Sequence, residues 1–163
     1  MAQNYGHSEG SNDDVILIAE DNDDHIALIL RAFRKASLLN PVFVVKNGVE
    51  AIDYLEGKGQ YANRQKYPLP SLMLLDLRMP MKDGFEVLHW IRGSPQLRGL
   101  RVVVLTTSED LRDVNRAYQM GVNSFLVKPL DLEDFVNLSN AIKGYWLWMS
   151  KAPVLPGEPE HTG

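Results

Sequence analysis

The sequence predicts a single α/β domain in which five parallel strands form a sheet covered by helices on both faces. Three observations predict it. Five short runs of β-branched residues and leucine recur, at residues 15–19 (VILIA), 42–45 (VFVV), 72–75 (LMLL), 102–105 (VVVL) and 125–127 (FLV). Each run is apolar throughout rather than alternating, as strands buried on both faces are. Each is followed by a stretch whose apolar residues recur at helical spacing, and regular strand–helix alternation builds a parallel sheet with right-handed crossovers.

The first helix carries Ile26, Ile29, Leu30, Phe33 and Ala36 on one face and ends before Pro41, whose ring cannot continue a helix. The second and third open with Asn47 and Glu50, and with Asp83 and Glu86. In both pairs a cap residue is followed three positions later by an acid, the reciprocal capping pattern. Their apolar stripes are Val49, Ile52 and Leu55, and Phe85, Leu88 and Ile91. Between the second helix and the third strand, residues 57–70 read as a long exposed loop of Gly, Tyr, Arg, Lys and Pro. The fourth helix starts at Ser108, buries Leu111, Val114 and Tyr118, and stops at Gly121, which suits a left-handed cap. The fifth spans about residues 131–150 and turns Phe135, Leu138, Ile142, Tyr145, Trp146 and Met149 to the sheet. Residues 1–13 read as a flexible leader, 14–150 as the domain and 151–163 as a C-terminal tail.

Composition narrows the function. Apolar residues make up 45% and charged residues 23% of the 163, enough to bury a core without disulfides or metals. There is no cysteine, which excludes thiolate metal sites and cysteine nucleophiles and fits a reducing compartment, with the cytoplasm as the expected location. No apolar run approaches the ~20 residues of a membrane helix. The polar, acidic N-terminus lacks the regions of a signal peptide. A net charge of −4 gives no footprint for gripping a phosphate backbone, so neither membrane nor nucleic acid is expected as a partner. His7 and His161 fall in the terminal segments, His25 on the first turn of the first helix and His89 off the stripe of the third. None has metal-ligand spacing, and all four read as surface residues.

Chemistry concentrates where such a sheet binds ligands, beyond the carboxyl ends of its strands. Glu20 and Asp21 follow the first strand, Asp76 the third, Thr106 the fourth and Lys128 the fifth. Each has an ordinary reading alone: a dipole-favoured helix start for Glu20 and Asp21, a strand end for Thr106, a turn lysine for Lys128. Asp76 directly follows four apolar residues, where an unpaired carboxylate is costly. Together, three converging carboxylates require a cation, and hard oxygen ligands suit Mg²⁺. Lys128 and the Thr106 hydroxyl add groups for an anion, the equipment of phosphoryl transfer, with Asp76 as the nucleophile.

Four strings carry a resemblance: Ile18-Ala19-Glu20-Asp21-Asn22, Leu74 through Leu88 around Asp76 and Met79-Pro80, Leu105-Thr106-Thr107-Ser108, and Phe125-Leu126-Val127-Lys128-Pro129-Leu130. In that order they resemble the receiver domain of two-component response regulators, over about residues 15–150. The resemblance implies a flavodoxin-like (CheY-like) fold of strand order 2-1-3-4-5. It makes Asp76 the phosphoacceptor, and Glu20, Asp21, Asp76 and the backbone carbonyl of Arg78 the Mg²⁺ ligands. It also implies that Thr106 and Lys128 contact the phosphoryl group and that Thr106 and Phe125 switch. A sensor histidine kinase is then the donor, and the chain signals by protein–protein contact rather than as an enzyme. The insert from Tyr54 to Pro70, with Ala117-Tyr118 and Gly121 to Phe125, is similar to the regulators that serve bacterial phytochromes. Arg78 departs from the usual small or amide side chain two residues past the acceptor, which bears on the lifetime of an acyl phosphate. Two alternatives stand: an aspartate-nucleophile phosphohydrolase, which typically has a second acid where Arg78 is, and a phosphate shuttle within a longer relay.

At 100° per residue Leu147 and Trp148 fall off the stripe of the fifth helix. Large apolar groups at one helix end mark an interface. A homodimer through the fourth helix, fifth strand and fifth helix is expected, as the resemblance also implies.

Overall fold

A computed structural model of the chain describes residues 14–97 and 99–144. The five runs form strands β1 (Ile16–Ala19), β2 (Val42–Val45), β3 (Leu72–Leu75), β4 (Arg101–Thr106) and β5 (Ser124–Val127), paired in parallel in the order β2-β1-β3-β4-β5. Between them run α1 (Asp23–Lys35), α2 (Gly48–Glu56), α3 (Gly84–Gly93) and α4 (Leu111–Gln119), and α5 (Leu132–Ile142) follows the last strand.

Alternate strand residues feed two separate cores, as the period of two requires. Leu17, Ala19, Met73, Leu75, Val102 and Val104 pack with residues of α2 and α3. Ile16, Ile18, Leu72, Leu74, Val103 and Leu105 pack with Ile29 and Phe33 of α1 and Phe135 and Ile142 of α5. The strand residues are wholly buried, each worth roughly 1.5–3 kcal/mol relative to exposure. The direction of winding reverses between β1 and β3, the place where sheets of this kind bind ligands at their carboxyl edge.

The capping residues act as expected, with one adjustment. Asn47 accepts from the N–H of Glu50 at 2.8 Å, but the Glu50 carboxylate returns to the N–H of Lys46, one residue ahead of the cap. Asp83 accepts from the N–H of Glu86 at 2.9 Å. Gly121 follows α4 with φ of 89°.

Three expectations are corrected. The segment 57–70 is not a bare exposed loop. It turns through a 3₁₀ helix at Gly59–Tyr61 and folds back so that Tyr61 is buried and Tyr67 half-buried. The rings of Tyr54, Tyr61, Tyr67 and Phe43 meet at centroid distances of 5.1–6.0 Å. Arg64 donates to the carbonyls of Tyr54 and Leu55, each at 2.7 Å, and so satisfies the end of α2 where orphan acceptors and the negative dipole end favour a cation. Aromatic content, not loop polarity, was the governing signal.

In α2 the buried face is Ala51, Tyr54 and Leu55, with Val49 and Ile52 only half-buried. The helix turns toward that aromatic cluster, where the Tyr54 hydroxyl donates to the Pro68 carbonyl at 2.8 Å. In α4 the first helical residue is Leu111, capped by Asp110 rather than Ser108. Leu111 is 74% and Tyr118 50% exposed, and Ala117 is the buried residue of the helix. Ala117 lies about 100° around the helix from Tyr118, so Leu111 and Tyr118 turn away from the sheet while Val114 is half-buried. The expected continuation of the fifth helix beyond 144, with Tyr145, Trp146, Leu147, Trp148 and Met149, lies outside the described residues.

Candidate functional site

Register alone brings the acids together. Ala19 pairs with Leu75 across β1 and β3, so the next residues, Glu20 and Asp76, leave adjacent strands side by side, and the Asp76 N–H donates to the Ala19 carbonyl at 3.0 Å. Likewise Thr106 pairs with Val127, which sets Lys128 one residue beyond the β4 edge. Glu20 is further held by the Asn22 N–H at 3.1 Å, while the Asn22 side chain caps α1 through the N–H groups of Asp24 and His25. Gly84 lets α3 close on the end of β3, because a Cβ there would stand 2.4 Å from the Asp76 carbonyl oxygen.

The Lys128 ammonium joins the two buried carboxylates. It donates to Glu20 Oε2 and, at 2.9 Å, to Asp76 Oδ2. Glu20, Asp76, Thr106 and Lys128 are all at least nine-tenths buried, whereas Asp21 is exposed on the rim. Even so, one carboxylate oxygen each of Glu20, Asp21 and Asp76 lies within 4.8 Å of the others. That spacing and an all-oxygen donor set fit a small, hard divalent cation.

Electrostatics separates the two inner acids. Burial pushes the Glu20 carboxyl up to about 7 against the pull of the Lys128 hydrogen bond, and the neighbouring Asp76 charge adds to the rise. Burial also opposes ionisation of Asp76, but the hydrogen bond and charge of Lys128, aided by Glu20 and the Arg78 N–H, outweigh it and hold the carboxyl below its ordinary value. Of the two, Asp76 therefore ionises at lower pH and Glu20 keeps its proton to higher pH.

Other expected residues are placed differently. The Thr106 hydroxyl is buried at the end of β4 and accepts from the Ser108 N–H at 3.4 Å. Phe125 is half-buried against the core between sheet and α3, and its N–H donates to the Tyr118 hydroxyl of α4 at 3.2 Å. Arg78 sends its N–H to Asp76 Oδ1 at 3.2 Å, and its guanidinium reaches Asp113 of α4 at 3.2 Å.

His25 corrects the sequence reading. Its Nδ1 stands 3.0 Å from Lys128 Nζ and 3.8 Å from Glu20 Oε1, beside the shared ammonium. The signal was available: His25 lies on the first turn of the helix that starts directly after Glu20 and Asp21, at the carboxyl edge.

One pH dependence follows. Because Glu20 takes up its proton more readily in the folded state, its contribution to stability is present below about 4.5 and is lost as pH rises through about 7. Asp76 is ionised in both states across that window. In metal-free buffer, raising the pH from about 5 to about 7.5 should lower the melting temperature of the parent more than that of Glu20→Gln. Equal losses in thermal unfolding would place the proton elsewhere.

Comparison with known proteins agrees with this geometry. Residues 16–140 match the family model of the response regulator receiver domain. The chain is 44% identical over 142 residues to the probable methanogenesis regulatory protein FilR2 of Methanothrix harundinacea, covering 85% of this chain and 87% of the relative. It is 36% identical to the response regulator Rcp1 of Synechocystis, covering 82% and 88%. The Mn²⁺-bound structure of Rcp1 superposes with a TM-score of 0.77 over 86% of this chain and 99% of that one. The phosphorylated cyanobacterial phytochrome response regulator RcpA is 36% identical, with a TM-score of 0.80 over 87% and 99%. Family match, strand order and the acid–lysine edge coincide, and the chain belongs to the receiver domain family of response regulators.

Proposed function

We propose that this receiver accepts a phosphoryl group on Asp76 from a phosphohistidine of a sensor kinase, in a reaction that requires Mg²⁺, and signals by changing its protein contacts. The observation that carries the reading is the Lys128 ammonium shared between buried Glu20 and ionised Asp76. Glu20, Asp21, Asp76 and the Arg78 backbone carbonyl would hold the ion. Bound Mg²⁺ supplies neutralising charge for the incoming phosphoryl oxygens. Asp76 attacks phosphorus through a carboxylate oxygen as the bond to the histidine nitrogen breaks; that nitrogen keeps the bonding pair, and the imidazole leaves neutral because its other ring nitrogen carries a proton. Lys128 turns to a phosphoryl oxygen, and the Thr106 hydroxyl supplies a second donor at the strand end. Movement of Thr106 then repacks Phe125.

A phytochrome kinase is the specific donor we infer, since RcpA is named as a phytochrome response regulator. A regulatory protein of this kind takes up one phosphoryl group and loses it slowly, in the cytoplasm, where the lack of cysteine is at home. Incubation with phosphoramidate and Mg²⁺ tests the chemistry. Intact mass spectrometry should show one phosphoryl group added to the parent and none to Asp76→Asn or to the parent in EDTA. Labelling of the Asp76→Asn variant at the parent rate would refute the acceptor assignment, and rapid multiple turnover would identify a hydrolase.

For assembly we infer a homodimer through α4, β5 and α5. Leu111, Tyr118 and Val127 are 74%, 50% and 42% exposed on this face, and clustered apolar exposure marks an interface. Leu147 and Trp148 extend the same proposal beyond the described residues. Leu111→Asp keeps a favourable acid in the first turn of α4. It should raise the dimer dissociation constant by about tenfold or more in sedimentation. An unchanged mass distribution would move the interface elsewhere.

A further inference from the structure

Helix α4 is held to the rest of the domain by few apolar contacts and several polar ones. Ala117 is its buried residue. Asp113, in its first turn and with its side chain 16% exposed, accepts from the Ser108 hydroxyl at 2.7 Å and pairs with the Arg78 guanidinium at 3.2 Å. Ser108 lies two residues past Thr106, and Arg78 two residues past Asp76. One carboxylate on the output-facing helix thus grips both loops that flank the acceptor. The Arg78 side chain springs from a residue whose own N–H already touches the Asp76 carboxylate, and it is 71% exposed.

We propose that Asp113 is a positioning residue that competes with the phosphoryl group for the Arg78 guanidinium. This rests on the reading of Asp76 as the acceptor. Before phosphorylation the Asp76 carboxylate is already engaged by Lys128, and Asp113 is the carboxylate that holds Arg78. Phosphorylation replaces that neutralised carboxylate by a group of nearly two negative charges with strong acceptor oxygens, and a planar guanidinium binds such oxygens in a bidentate fork better than it binds one carboxylate oxygen. Arg78 turns inward, Asp113 loses its partner, and α4 is released. Arginine at this position therefore reports the state of Asp76 to α4 directly, in parallel with any movement of Thr106 and Phe125. The inward guanidinium also covers the phosphoryl group and slows the approach of water.

Hydrogen–deuterium exchange of the amides of residues 111–119 tests this on the full chain. Asp113→Asn and Arg78→Ala, both unphosphorylated, should each speed exchange of α4 by about two- to fivefold, the factor an exposed ion pair supplies. The double variant should be no faster than either single one, because both remove the same contact. If Asp113 acts only on the helix dipole, Arg78→Ala leaves exchange at the parent rate, and the proposal fails. In the phosphorylated parent, exchange should rise to the level of Asp113→Asn and rise no further in that variant, while its acyl phosphate persists at least as long as that of the parent. Equal further increases in parent and Asp113→Asn would also overturn it. The unphosphorylated arms need no labelling, so failure of Asp76 to accept phosphate is read separately by mass.

Discussion

One ammonium group between two buried carboxylates organises the carboxyl edge of this domain. Parallel pairing of β1 with β3 leaves Glu20 and Asp76 side by side in a setting where neither can be solvated well. Without a cation, two ionised carboxylates there would repel each other with little solvent to screen them, and both would resist ionisation. Lys128, delivered from the far side of Asp76 by β5, supplies that cation. The price is an arrangement that is satisfied only while the charges balance, which is why any change of charge at Asp76 is felt at Lys128 and hence at the end of β5.

The surroundings carry that imbalance outward. Lys128 is tied to β4 by its own N–H, which donates to the Thr106 carbonyl at 2.8 Å. Phe125, three residues earlier on the edge strand, is tied to α4 through Tyr118. The helix lies on the molecule through Ala117 and through polar contacts rather than through a deep apolar seam. Such an element moves at little energetic expense, and elements that move in switching are drawn from the weakly held parts of a fold. By contrast α3 is fixed by Phe85, Val87, Leu88 and Ile91, all buried. The edge that carries Asp76 is thus firmly backed by α3, beside a helix, α4, that is loosely held.

The sequence was legible where a residue's role depends on chain-local physics. Unbroken apolar runs marked all five strands, and polar residues directly after them marked the acid–lysine edge, because a parallel sheet brings all its carboxyl ends to one side. It misled where tertiary packing decides. Leu111 and Tyr118 share a face at helical spacing, yet the sheet selects the face of Ala117. Segment 57–70 reads as loop from its Gly, Lys and Pro, yet its tyrosines join the core on the α2–α3 side of the sheet, with Arg64 closing α2. His25 and Asp113 reach the site from helices, and their contacts with Lys128 and Arg78 bridge 103 and 35 residues of sequence. The position of His25 directly after the Glu20-Asp21 pair hinted at its contact, whereas nothing local marks that of Asp113.

The central claim is that a cation must lie between Glu20 and Asp76. Thermal unfolding of Lys128→Ala with and without Mg²⁺ tests it most directly. The account expects the variant to be clearly less stable than the parent in metal-free buffer near neutral pH, and to recover most of that loss on saturation with Mg²⁺, because the ion replaces the missing charge among the same carboxylates. A variant as stable as the parent without metal, or one that Mg²⁺ leaves unchanged, would contradict it.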